Sequence, residues 1–160
     1  MGAPVATRPS YVAVVGAAAP DDAQAQAAQE VGRRLAQAGA IVITGGGEGV
    51  MAAASRGAAQ AGGMVIGILP GSDRAAANRW VSIALPTGLG ELRNGLIVRA
   101  ADALVAVGGA YGTLSEVALA LATGVPVVGY DTWAIPGIES GRTPTEAVSR
   151  ALELAVAARA

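Results

Sequence analysis

Short runs of Val, Ile and Ala alternate along this chain with longer Ala-rich stretches in which apolar residues recur every three or four positions. The first pattern is that of a strand buried on both faces, the second that of a helix laid against a sheet. The runs predict strands at 11–15, 40–44, 64–69, 81–84, 103–107 and 125–129. The periodic stretches predict helices at 22–38, 50–61, 90–101, 112–123 and 144–158. In the first helix Ala28, Val31, Leu35 and Ala38 form the buried stripe, and Gly39 stands where a left-handed residue closes a helix. Strands alternating with helices predict an α/β chain: a Rossmann-like three-layer fold with an open, mainly parallel sheet flanked by helices.

Length agrees with one unit, since 160 residues bury roughly 70% of their unfolded surface around a single core. We place a Rossmann-like phosphate- or nucleotide-binding domain at 11–160, preceded by a loosely ordered segment, 1–10, that carries Pro4 and Pro9. Hydrophobic residues make up 52% of the chain and charged ones 14%, a composition too apolar for disorder. A formal charge of -1 offers no basic surface, so no nucleic-acid partner is expected and an anion must be held locally. No apolar run is long enough to span a bilayer, so no membrane partner is expected. Arg8 followed by "YVAVVGAAAP" imitates a secretory signal, but its apolar part is short and "PDDAQ" reads as a helix entry, so the expected location is cytoplasmic.

The chain has no cysteine, no histidine and no lysine; all eleven basic residues are arginine. That removes the Ser-His-Asp triad, histidine or thiolate metal sites, the phosphate-loop lysine and a lysine Schiff base. No metal and no cofactor is expected, and any chemistry comes from carboxylates, arginines, hydroxyls and backbone.

Three stretches carry candidate chemistry. In "ITGGGEGVMAAAS" a strand runs into glycines and then a helix, where unpaired backbone N–H groups meet an anion. Gly45, Gly46, Gly47 and Gly49 let the backbone approach a phosphate closely. Neither this stretch nor the turn after Gly16 is a G-x-G-x-x-G fingerprint, and no acidic residue closes the second strand, so a dinucleotide dehydrogenase is disfavoured.

In "VGGAYGTLSE" the residues Thr113 to Glu116 match the capping-box pattern, Thr113 capping the helix and Glu116 reaching back. Thr143 to Glu146 match it too, with Pro144 at the first helical position, so a cap alone accounts for the threonine and the glutamate. It leaves Gly108, Gly109 and Gly112 unexplained. In "TGLGELRNGLIVRAAD" Arg93 and Asn94 precede a helix, close after Thr87.

Taken together, "GGGEGVM", "GLGELRN" and "GGAYGTLSE" resemble the LOG family, once labelled lysine decarboxylase-like, within the Rossmann-type group that also holds the molybdenum cofactor carriers. The resemblance runs from Tyr11 to about Tyr130. It implies a phosphoribohydrolase, which cuts a nucleoside 5′-monophosphate into free base and ribose 5-phosphate. Matched to the motif P-G-G-x-G-T-x-x-E, Gly109, Gly112 and Thr113 keep their places and Glu116 is the motif glutamate; Arg93, 23 residues earlier, takes the place of the essential arginine. Gly108 stands for the proline and Ala110 for a glycine, departures that look more like the short branch near the molybdenum cofactor carriers.

The resemblance thus implies Arg93 and Glu116 as catalytic residues, Glu116 stabilising positive charge at the sugar C1′ and Arg93 keeping Glu116 ionised or touching phosphate and ribose. Gly16, Gly45, Gly46, Gly47, Gly49, Thr87, Asn94, Gly108, Gly109, Tyr111, Gly112 and Thr113 are the candidate ligand contacts. Side chains between Asp73 and Trp80 would read the ring. The alternative is a non-catalytic carrier of a phosphorylated pterin or nucleotide, and a third reading is a relic without ligand. The apolar stretch 90–123 adds the expectation of a homodimer or higher homo-oligomer.

Overall fold

The computed structural model describes residues 7–160; the expectation of a loosely ordered start falls largely on residues 1–6, outside the described residues. In chain order the elements are β1 (Tyr11–Gly16), α1 (Asp22–Gln37), β2 (Ile41–Thr44), α2 (Val50–Gln60), β3 (Val65–Leu69) and β4 (Ile83–Pro86). There follow α3 (Asn94–Ala100), β5 (Ala103–Val107), α4 (Tyr111–Thr123), β6 (Val127–Tyr130), β7 (Ile138–Ser140) and α5 (Pro144–Ala157). All seven strands form one parallel sheet in the order β4-β3-β2-β1-β5-β6-β7. This is the expected three-layer α/β fold.

Alternation along each strand divides the core. Val12, Val14, Val42, Val65, Val105 and Val107 face α1, α2 and α5, while Ala13, Val15, Ile43, Leu104, Ala106 and Val127 face α3 and α4. β1 and β5 are buried on both faces, which is why they read as unbroken apolar runs. Asp21 caps α1, its Oδ1 accepting from the Gln24 amide at 2.7 Å, and Gly39 takes the left-handed conformation expected of it, φ 77°. α1 lies directly on α2 through glycine: a Cβ at Gly32 would sit 2.0 Å from the Ala54 carbonyl oxygen, and one at Gly57 1.9 Å from that of Gln29.

Three expectations are corrected. The helix at 90–101 is two elements, a 3-10 turn at Gly90–Arg93 and then α3. α4 begins at Tyr111 with Ala110 as its extended N-cap, so Thr113 is the third helical residue and its Oγ1 accepts from the Ala110 amide at 3.2 Å. Glu116 is therefore one turn further in and belongs to no capping box; at α5, by contrast, Thr143 caps as expected and accepts from the Glu146 amide at 3.1 Å. The third correction is β7, unforeseen because it is three residues long and follows Pro136-Gly137. The residues after β6 return to it without a helix, crossing the α4 face of the sheet so closely that a Cβ on Gly129 would lie 2.4 Å from Thr132 Cγ2.

Among the described residues, no helix is long and apolar enough to cross a membrane and no group of three or more His, Cys, Asp or Glu could hold a metal ion.

Candidate functional site

In the parallel sheet the connections from β1 and β5 run in opposite directions, and the crevice between them opens beyond the carboxyl ends of the strands. A cavity of 210 Å³ occupies that crevice. Val15, Gly16, Ala17 and Ala18 bring β1 to it, Gly45 and Met51 come from the β2–α2 turn, and Arg93 and Asn94 from the start of α3. The first turns of α4 supply Ala110, Gly112, Thr113 and Glu116. Of the sequence-derived site residues, the cavity brings together Gly16, Gly45, Arg93, Asn94, Gly112, Thr113 and Glu116.

The others lie elsewhere. Gly46 packs on Leu69 and accepts from the Asn78 amide at 2.8 Å, and the Gly47 carbonyl accepts from Asn78 Nδ2 at 2.9 Å. Gly49, with φ 70°, lies against the backbone of Ala17 and Ala18, where a Cβ would come within 2.4 Å of both carbonyl oxygens. These three glycines hold the turn together, and Gly45 alone of the four lines the cavity. Thr87 Oγ1 donates to the Leu69 carbonyl at 2.7 Å. Gly108 and Gly109 form the turn into α4, Gly108 against the Gln24 side chain and Gly109 against the ring of Trp133. Tyr111 is 91% exposed and does not line the cavity.

Arg93 is fixed by the fold. Its Nη1 donates to the carbonyls of Gly45, at 2.6 Å, and Ile68, at 2.5 Å, and its Nε donates to Asn94 Oδ1 at 2.9 Å. A Cβ at position 45 would stand 2.7 Å from that Nη1, so glycine there is a condition of the arginine's placement. Asn94 passes the chain on: Nδ2 donates to Ser115 Oγ at 3.0 Å, and Ser115 donates to the Gly112 carbonyl at 2.7 Å. Met51 and Ser115 stand inside the quoted motifs but were not singled out as site residues, and Asn78, in the loop expected to read a ring, instead ties down the β2–α2 turn.

Glu116 is 7% exposed, and no group among the described residues donates a hydrogen bond to its carboxyl. Burial pushes its pKa up to about 7, and the Arg93 charge pulls against this without cancelling it. The charge-assisted Arg93–Glu116 pair that would keep the carboxyl ionised is absent, because the guanidinium donates to main-chain carbonyls instead. Within α4 the first amide to find a helical partner is that of Leu114, which donates to Ala110. The N–H groups of Tyr111, Gly112 and Thr113 thus stand unpaired at the positive end of the helix dipole. Uncommitted amides, a fixed arginine and a carboxyl that is only half ionised at neutral pH make a site suited to an anion.

The loop from Asp73 to Trp80 stays outside this cavity. Trp80 lies under Arg79 and Arg56, with the guanidinium carbons 4.9 and 5.9 Å from its ring, and lines a separate groove with Asp22 and Gln29.

The model of the SLOG cluster4 family matches residues 9–157. An uncharacterised protein of Archaeoglobus fulgidus is 38% identical over 146 residues, 91% of this chain and 96% of that protein. Among solved structures, the molybdenum cofactor binding protein of Rippkaea orientalis is 31% identical, with a TM-score of 0.88 over 92% of this chain and 98% of that one. The molybdenum cofactor carrier protein of Chlamydomonas reinhardtii is 33% identical, with a TM-score of 0.84 over 93% of this chain and 99% of that one.

Proposed function

Since the chain belongs to the SLOG cluster4 family, we propose that it is a binding protein for a phosphorylated small molecule, a pterin-type cofactor or a nucleotide, held in the cavity between β1 and β5. The ligand's phosphate sits on the free amides at the start of α4, within the field of Arg93. Its neighbours named as binding and carrier proteins for the molybdenum cofactor support this reading over the phosphoribohydrolase, since they match almost the whole of both chains.

The observation that carries the choice is the state of Glu116. A phosphoribohydrolase needs a negative group beside the developing charge at C1′. Here the carboxyl lacks any donor that would hold it ionised, and burial brings its pKa to about 7, so near neutral pH half the molecules carry it uncharged. A neutral carboxyl is poor at stabilising an oxocarbenium ion, and it spares an incoming phosphate the repulsion of a buried anion.

Native mass spectrometry of the purified protein, followed by calorimetric titration with ribose 5-phosphate and GMP, tests the reading. Both compounds bind, neither is hydrolysed, and Arg93→Lys weakens both at least about tenfold, because a lysine cannot hold two carbonyls and the field at once. Release of free base that disappears in Glu116→Ala would restore the hydrolase.

A separate surface, outside the cavity, supports self-association. Leu92, Leu96, Tyr111 and Leu119 are exposed on the outer faces of the 3-10 turn, α3 and α4, with Leu92 at 74%. Solvated apolar residues grouped in this way mark a contact surface. A homodimer through α3 and α4 is the expected species, and light scattering at micromolar concentration should give twice the chain mass; a monomer mass rejects it.

A further inference from the structure

We infer that the residues returning from β6 to β7 form a ring subsite, with Trp133 as its stacking surface and Asp131 as its polar anchor, for a fused heterocycle that presents adjacent N–H donors as guanine and pterins do. The inference deepens the reading given above and rests on it for the phosphate, while the ring has a site of its own.

The return crosses the sheet over Gly129 without a helix, and beneath and beside it opens a cavity of 500 Å³, in the size range of small-molecule sites. Trp133, Ala134, Ile135, Pro136 and Ile138 give it apolar walls. Its polar side-chain groups are the Asp131 carboxylate, the hydroxyls of Thr132 and Ser140 and the indole N–H of Trp133. Asp131 accepts from Gln24 Nε2 through Oδ2 at 3.0 Å, and its Oδ1 has no partner among the described residues. Thr132 lines the cavity too, and its Oγ1 is buried without a hydrogen bond.

Asp131 is also the one described non-glycine residue with positive φ, 50°, a conformation that Asp adopts more readily than most residues. That turn, together with the Gln24 bond, fixes the carboxylate at the mouth of the cavity. With Oδ1 free and a second lone pair left on Oδ2, the carboxylate can accept from a ring edge that offers two neighbouring N–H groups, which guanine and pterins share and adenine does not. Geometry ties the subsite to the first cavity: Trp133 lies on Gly109, where a Cβ would stand 2.7 Å from Cη2 and Cζ3, and Ala110, the next residue, lines the anion cavity. The indole therefore borders the loop that presents the phosphate-binding amides.

The experiment separates ring from phosphate. In a Trp80→Phe background, where Trp133 is the only tryptophan, guanosine quenches the emission and adenosine does so less. In the otherwise unchanged chain GMP binds about tenfold or more tightly than ribose 5-phosphate, the scale of one ring stacked on an aromatic side chain. Trp133→Ala removes that advantage, Trp133→Phe keeps most of it, and Asp131→Asn lowers affinity for GMP but not for AMP. No quenching by guanosine, or a GMP advantage that survives Trp133→Ala, overturns the subsite whatever the phosphate does. Quenching by guanosine with no binding of ribose 5-phosphate leaves the subsite standing and overturns the phosphate site instead.

Discussion

Glu116→Gln is expected to flatten the stability of this protein between pH 5 and pH 8. In the folded chain the carboxyl holds its proton up to about pH 7, because burial raises its pKa more than Arg93 lowers it. In the unfolded chain it releases the proton near its ordinary value of 4.5. Below that value both states are protonated and the contribution is fully present. Between about 4.5 and 7 the folded state binds more protons, so stability falls as pH rises, and above 7 the loss is complete. The interval corresponds to about 3 kcal/mol. Urea unfolding at pH 5 and pH 8 should show the natural chain losing about 2.5 kcal/mol relative to the variant across that range. Glu30, Glu139 and Glu146, whose arginine partners lower their pKa, act in the opposite direction in both proteins and cancel in the comparison. Parallel profiles for the two proteins would mean that Glu116 is ionised in the folded state, and the case against hydrolysis would lose its main support.

The second large effect concerns the contact between α1 and α2. By helix propensity alone, Gly57→Ala should stabilise the chain by up to about 1 kcal/mol. The added Cβ would stand 1.9 Å from a main-chain carbonyl of α1, however, and backbone cannot step aside as a side chain can. Overpacking of this kind costs about 1–3 kcal/mol or more, so the expected net result is a loss of about 2 kcal/mol and a midpoint lower by roughly 4–8 °C. Gly32→Ala should behave in the same way, since its Cβ meets the Ala54 carbonyl. Gly95→Ala is the control: it lies in α3 with open space around it and should be neutral or stabilising. Equal effects at all three positions would show that the helices separate easily, and that the glycines are not what sets their distance.

Much of the fold can be read in the chain because period and burial agree. The runs of β1 and β5 are apolar at every position, and α1 carries both its cap and its closing glycine, so pattern and packing point the same way. The start of α4 could not be read correctly, since Thr113–Glu116 and Thr143–Glu146 are the same pattern while their geometry differs. What separates them is the extended conformation of Ala110 after two glycines with positive φ, a backbone property that no side chain announces. In the β2–α2 turn four neighbouring glycines suggested one task, whereas three answer to close packing among Leu69, Asn78 and the Ala17–Ala18 backbone. Arg93 and Glu116 were legible as a pair through family resemblance. Their actual relation, an arginine spent on carbonyls and a glutamate left alone, depends on which buried acceptors lie within reach, and that is settled only in three dimensions. Trp133 stands in a segment with no pattern of its own, so sequence reasoning looked to Trp80 instead.

The helix-free return from β6 to β7 also has a consequence for how the molecule fluctuates. Its last strand is three residues long at the sheet edge, and within the return the Ile138 amide reaches back only as far as Ile135. Such a segment can lift away at a small fraction of the free energy needed to unfold the central strands, so its amides exchange with solvent through local excursions long before those of β1 or β5. An excursion at this edge would lift Trp133 off Gly109 while the rest of the sheet stays closed.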